Sequence, residues 1–252
     1  MQKKSGHILY SASDLANFLE CEHLTSLDSL NLISPMQKTT AGEDTVLIQD
    51  KGYAHEAAYF SKLKSEYNNV INIHEMAHEA EARLKATIDA MSSGADIIFQ
   101  AAFAKDNLIG HADFLKKVPL PSVFGNYSYE VMDTKLASTT QAKFIVQLSF
   151  YSKLLADIQG VYPKEMHVVL GNNNMQPSTY QCNDYTAYFE DLLRRFLDQV
   201  GNSKSADTYP SPCKKCDQCH WIERCEAQRI SDDHLCQVAG ILKIQINKLN
   251  LV

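Results

Sequence analysis

The spacing of apolar residues along the chain changes from helical to alternating and back. Leu15, Phe18 and Leu19 make one stripe in a segment that opens at Ser11, with Ser13 as a candidate cap, and predict an N-terminal helix within 11–30. Positions 31–49, with Pro35 and Gly42, read as loop. Helical spacing returns over 52–63, where Ala57, Phe60 and Leu63 share a side, and again over 75–92, stopped by Gly94. The period then shortens to two. Positions 97–103 and 108–115 read as strands joined by the turn-rich link 104–107, so a hairpin is expected. A third strand covers 127–133. A helix over 142–158 carries Phe144, Ile145, Leu148 and Leu155, and a fourth strand at 166–170 and a fifth at 178–182 follow. The helix over 185–200 is strongly amphipathic, with Phe189, Leu192, Leu193, Phe196 and Val200 on one face. This order predicts an α/β fold, a mixed central sheet flanked by helices, with a cysteine-rich segment after Tyr209. From Gln237 the chain carries Lys243 and Lys248 and no acid; it reads as helical and stops without a cap, which suggests a piece of a longer protein.

Composition narrows the class. With 252 residues, 45% hydrophobic and 21% charged, the chain can bury a sizeable core and is neither disordered nor a disulfide-stapled miniprotein. No apolar run is long enough to span a bilayer and no signal-peptide core follows the basic N-terminus, so no membrane partner and a cytoplasmic location are expected. The formal net charge of −6 argues weakly against wrapping a long duplex. It does not exclude nucleic acid, because a metal site concentrates carboxylates where cations will sit.

Candidate chemistry begins with Asp113 in the second strand and Asp133-Thr134-Lys135 at the end of the third. Asp133 and Lys135 are two apart and share a strand face, and an adjacent strand could bring Asp113 beside them. Two carboxylates and an ammonium on one sheet edge suit a hard divalent cation such as Mg²⁺, which can clamp a phosphoryl oxygen. Glu130, three residues before Asp133, points to the opposite face.

These residues resemble the core of the PD-(D/E)XK nucleases, in the RecB-type branch. Two further matches carry the resemblance: a histidine on a helix before the sheet, here Gly52-Tyr-Ala-His55-Glu56, and Gln-x-x-x-Tyr on the helix after the third strand, here Gln147 to Tyr151. His111 stands where the family often has an apolar residue. The resemblance implies a restriction-endonuclease-like core at about 50–182 within a single domain over 1–252. It implies Mg²⁺ or Mn²⁺ held by His55, Asp113 and Asp133 with the Thr134 carbonyl, and Lys135 as the catalytic lysine. Gln147 and Tyr151 would position the nucleic acid or the site, and Glu56 would stand behind the ligands.

Cys213, Cys216, Cys219 and Cys225 fall within one short segment, which in a reducing compartment suggests metal rather than disulfides. The four could make a self-contained zinc site. Alternatively Cys216, Cys219 and Cys225 join Cys21, as in several RecB-type nucleases that close a [4Fe–4S] cluster with one cysteine before the core and three after it. The segment 205–236 would then be stapled to the N-terminal helix 11–30. Cys21 is otherwise unexplained, which favours iron–sulfur over Zn²⁺, and Cys213 is spare. Cys182 and Cys236 read as small buried hydrophobes.

The expected function is a metal-dependent nuclease, most of all on single-stranded DNA and exonuclease-like, in DNA repair, recombination or defence. A helicase or further domains of a longer chain are the expected partners. The competing readings are a nucleic-acid-binding module that cuts nothing, held by an iron–sulfur or zinc site, and a zinc-stapled scaffold for a partner.

Overall fold

A computed structural model describes all residues except 5, 41, 42, 173, 202–207 and 250–252, and gives no burial for 43–45 and 247. The chain forms two compact units, Met1–Ala16 with Leu47–Arg194, and Asn17–Val46 with Arg195–Val252.

The first unit is an α/β layer structure around a mixed eight-stranded sheet. Its strands are β1 (Gln2–Lys4), β2 (His7–Ser11), β3 (Val70–Asn72), β4 (Ile97–Lys105), β5 (Leu108–Val118), β6 (Ser128–Lys135), β7 (Glu165–Leu170) and β8 (Pro177–Gln181). β4–β5, β5–β6 and β7–β8 pair antiparallel, as does β1–β2, while β2–β5, β3–β4 and β6–β7 pair parallel. The helices are α1 (Ala12–Glu20), α2 (Glu22–Ile33), α3 (Glu43–Glu66), α4 (Ile73–Met76), α5 (Ala80–Ser92), α6 (Ala142–Gln159), α7 (Thr186–Gly201), α8 (Ile222–Ser231) and α9 (Lys243–Leu249).

The helices differ from the sequence reading at four points. α3 begins at Glu43, so the loop expected over 31–49 is shortened from both ends. Its added first turns expose Leu47 and Ile48, and no amphipathic stripe announces them. The expected helix 75–92 is broken into α4 and α5. The helix expected over 11–30 is split at Cys21, whose extended backbone (φ −161°, ψ 105°) stands before α2. The first of these two helices is entered not through Ser13 but through Asp14, whose carboxylate accepts from both the amide and the hydroxyl of Ser11, at 2.8 Å each.

The sheet is covered on both faces. Tyr59 and Leu63 of α3 pack with Ile97, Phe114, Met132 and Val169 on one face, and Phe60 stacks on Phe99 with ring centroids 4.2 Å apart. Asp133, next to Met132, meets Gln147 of α6, which places α6 on the other face. α6 buries Phe144, Leu148, Tyr151 and Leu155 and ends on Gly160, whose positive φ of 70° closes the helix. Each such large side chain removed from water stabilises the fold by roughly 1.5–3 kcal/mol before entropy is counted.

One irregularity prepares the site. Phe99 meets α3, yet Phe103, four residues on, meets Tyr151 of α6 with centroids 6.4 Å apart. In a regular strand these two would share a face. Between them Gln100 takes a left-handed backbone (φ 58°), and the β4–β5 ladder skips the Gln100–Asp113 pair. On its other edge β5 is shared: β6 pairs with 114–118 and β2 with 108 and 109. The stretch 110–113 is left open there, and Asp113 sits where the ladder stops.

In the second unit, Leu24, Leu27, Trp221 and Cys225 form a small core against which Cys21, Cys219 and Met36 pack. Trp221 is buried and donates through its indole to Asp28 at 3.0 Å.

Candidate active site and cysteine centre

The open stretch of β5 gathers the predicted acids. Asp113 Oδ2 accepts the Thr134 amide and the Thr134 hydroxyl, both at 2.9 Å, so a side chain takes over where the backbone ladder ends. Asp133 is fully buried, and Lys135 Nζ lies 2.5 Å from its Oδ2. Gln147 donates to Asp133 Oδ1 at 3.3 Å and lies 3.1 Å from the Tyr151 hydroxyl, one helical turn on. The Tyr151 ring needs Gly110: a Cβ there would stand 2.9 Å from its Cδ1. The structure therefore brings together Asp113, Asp133, Thr134, Lys135, Gln147 and Tyr151.

The neighbours on α3 divide differently. His55 Nε2 faces the Val169 carbonyl at 3.2 Å, so a proton on that nitrogen is directed at a backbone oxygen. Glu56 instead accepts a short hydrogen bond from the Gln100 side chain. Burial, then the charge of Asp113, push its carboxyl up to about 7, while Gln100 and Lys135 pull against them. Glu56 is thus the acid that joins the constellation, more fully than the supporting place given to it by its position beside His55. Successive helical residues point about 100° apart, and period alone does not say which of two neighbours turns inward.

The electrostatics of the group are those of crowded carboxylates. Burial and Asp113 raise the Asp133 carboxyl well above its usual range, against the pull of Lys135. Burial acts to lower the Lys135 pKa, but Asp133 and Asp113 outweigh it and keep the amine an ammonium. Burial and Asp133 also hold the Tyr151 phenol protonated. Among the described residues, Asp133 Oδ2 accepts no hydrogen bond of normal geometry, despite the nearby ammonium. A buried set of oxygen donors with one cation for three acids fits a hard divalent ion.

Glu130 lies on the opposite face, as its spacing predicts. Its carboxylate receives the Glu165 amide at 3.1 Å and His167 Nε2 at 3.2 Å, and His167 Nδ1 meets the Thr179 hydroxyl at 3.0 Å. Glu130, Glu165 and His167 are close enough to hold a metal ion, yet each of these contacts already satisfies a buried polar group. Nothing in the sequence spacing had linked the three, since β6 and β7 are joined only through α6.

In the second unit the four expected cysteine thiols converge. Burial raises the Cys225 thiol to about 11, and the thiols that add to the shift are Cys219, Cys21 and Cys216. The Cys219 sulfur receives the Trp221 amide and the Cys216 sulfur the Cys213 amide, each at 3.4 Å. Amide donors and an apolar wall of Leu24 and Trp221 suit thiolates bound to a soft metal or cluster, which removes their protons. Cys213 is not remote: its sulfur is 3.9 Å from that of Cys216. Cys182 is buried beside Ser152, and Cys236 is half-buried in a short 3₁₀ turn.

No protein-family model matches the chain, and no curated protein does. A solved structure described as the crystal structure of SSO0001 aligns over 90% of this chain and 89% of its own, at 13% identity and a TM-score of 0.39. Among the described residues, no helix is long and apolar enough to cross a membrane.

Proposed function

We propose that the chain is a metal-dependent nuclease with a RecB-type PD-(D/E)XK core, hydrolysing phosphodiester bonds and acting first on single-stranded DNA. The observation that supports this most is the meeting of Asp113, Asp133 and Lys135 where the β5–β6 ladder opens, with Glu56 facing them from α3. Asp113, Asp133 and Glu56 would hold Mg²⁺ or Mn²⁺, aided by the Thr134 carbonyl and by His55 once its ring leaves Val169. Bound there, the ion would supply Lewis-acid polarisation and neutralise charge on the phosphoryl group.

The chain's own residues supply the rest. Lys135 stays an ammonium between two carboxylates, so it acts as a donor to the attacking water or a phosphoryl oxygen rather than as a base. Thr134 fixes Asp113 with two hydrogen bonds, Gln100 fixes Glu56, and Gln147 fixes Asp133 with Tyr151 behind it. In the second unit, Cys21, Cys216, Cys219 and Cys225 would hold a [4Fe–4S] cluster, in preference to zinc. That group contributes folding energy rather than chemistry.

The test is incubation of the anaerobically purified protein with end-labelled single- and double-stranded DNA and RNA, with and without Mn²⁺. Cleavage that needs Mn²⁺ and disappears in Asp133→Ala and Lys135→Ala, with circular dichroism and colour retained, is the expected result. Binding with no cleavage in either Mg²⁺ or Mn²⁺ would leave a nucleic-acid-binding module instead. Brown colour and iron are expected, and a colourless protein carrying zinc defeats the iron–sulfur assignment.

A further inference from the structure

Arg83 stands beside this constellation without a role in it. One bond pins its helix, α5, to β4: the Thr87 hydroxyl, which donates to the Arg83 carbonyl one turn back at 2.9 Å, accepts the Ala102 amide at 3.0 Å. The guanidinium is thereby held at the irregular point of β4, where Nη2 donates to the Gln100 carbonyl at 3.3 Å. The side chain of that same Gln100 grips Glu56. Across the ladder, Ala102, whose amide Thr87 receives, pairs with His111, an exposed residue two before Asp113.

A guanidinium has five N–H donors. Here one reaches a backbone oxygen, no carboxylate pairs with the group, and Nε is buried without a hydrogen-bond partner among the described residues. A purely structural arginine in a half-buried place would be expected to find an acid or several carbonyls, since an unmade bond of this kind is costly. An anion with several oxygens would satisfy these donors. Strands in a sheet lie about 4.8 Å apart. Gln100 stands opposite Asp113 where the β4–β5 ladder skips a pair, so the guanidinium on its carbonyl lies at the strand next to the one that carries this acid.

We infer that Arg83, with His111 beside it, binds a phosphate of the substrate strand adjacent to the bond that is cut. This rests on the nuclease reading and adds the strand's path: from the carboxylates toward the N-terminal turn of α5. The contact is made to backbone and not to bases, so it is indifferent to sequence. Being an ionic contact, it releases counterions on binding.

The experiment measures fluorescence anisotropy of a labelled single-stranded oligonucleotide against salt concentration, for wild type, Arg83→Ala and Arg83→Lys, with steady-state cleavage in Mn²⁺ alongside. Arg83→Ala should weaken binding roughly five- to tenfold and reduce the slope of log affinity against log salt by about one. KM should rise with kcat little changed, the mark of binding that is uniform along the reaction. Arg83→Lys keeps the charge, should recover part of the affinity and the slope, and serves if the alanine variant does not fold. Wild-type affinity and slope in a folded Arg83→Ala, or, where that variant fails to fold, equal affinity and slope in a folded Arg83→Gln, would overturn this inference alone. A wild-type protein that neither binds nor cuts any oligonucleotide would overturn the nuclease reading and this inference with it.

Discussion

Glu56 is the residue on which the site's energetics turn. Its carboxyl is raised to about 7 by burial and by Asp113. A carboxyl raised in the folded state holds its proton more tightly there than when unfolded. Its contribution is therefore fully present below the ordinary value near 4.5 and is lost as pH rises through about 7. Without metal, the crowded acids should thus cost stability at pH 8 and not at pH 5. Glu56→Gln should raise the melting midpoint at pH 8 in EDTA and leave it unchanged at pH 5. Mn²⁺ at a hundredfold excess over its dissociation constant should stabilise the wild type by about 2.7 kcal/mol. That corresponds to roughly 5–10 °C for a protein of this size. The gain should shrink at pH 5, where protons compete for the same oxygens. Thermal melts at the two pH values, with and without Mn²⁺, check both statements; a Glu56→Gln midpoint that falls at pH 8 would remove Glu56 from the site. Gly110 is the second sensitive residue. A Cβ there would meet the Tyr151 ring at 2.9 and 3.0 Å. Gly110→Ala should cost about 1–3 kcal/mol by overpacking. By moving Tyr151 it should also loosen Gln147 from Asp133, so that urea midpoint and cleavage rate fall together.

The elements differ in how far spacing alone reveals them. β4 to β7 and α6 announce themselves because each is buried on one or both faces and so must be rich in apolar residues. β1, with the sequence Gln-Lys-Lys, is exposed throughout, and a three-residue edge strand has no period to read. β2 and β3 are short and half-buried, and what makes them strands is their parallel pairing with β5 and β4, partners distant in sequence. The acids and the lysine were legible because Asp-x-Lys fixes a face. The crossing of faces at Gln100 was not, because a left-handed backbone at a glutamine has no composition signal. It follows that Gln100 matters for both its bonds: its side chain holds Glu56 and its carbonyl receives Arg83. Gln100→Gly would ease the backbone, which costs a non-glycine residue of order 1 kcal/mol or more, yet remove the grip on Glu56. Stability in urea should change little while the apparent Mn²⁺ affinity, read from cleavage against Mn²⁺ concentration, falls. Unchanged Mn²⁺ dependence would show that Gln100 does not position the acid.

At the scale of the whole chain, two groups of polar residues sit in two different units, and on the proposed reading each would hold a metal of its own. The acids lie on β5, β6 and α3 in the unit with the large sheet, where apolar packing on both faces supplies the stability. The second unit has a far smaller core, built on Leu24, Leu27, Trp221 and Cys225, with three cysteines belonging to it or packed against it. A core so small would be held by the group proposed for its thiols, because a site absent from the unfolded chain turns binding energy into folding energy. Cys21 is central to this, since it stands at the break between α1 and α2 and brings an N-terminal segment to the thiols of 216–225. Removing the iron or zinc with a chelator, or replacing Cys21 with serine, should therefore act unevenly. In hydrogen exchange, peptides from 17–40 and 208–237 should lose protection, while those from 97–118 and 128–135 keep theirs. Removal of Mn²⁺ should leave the first pair untouched and affect only the segments bearing Glu56, Asp113 and Asp133. Uniform loss of protection on losing the thiol-bound metal would mean that the cysteine centre supports the sheet as well, and that its removal cannot be separated from loss of cleavage.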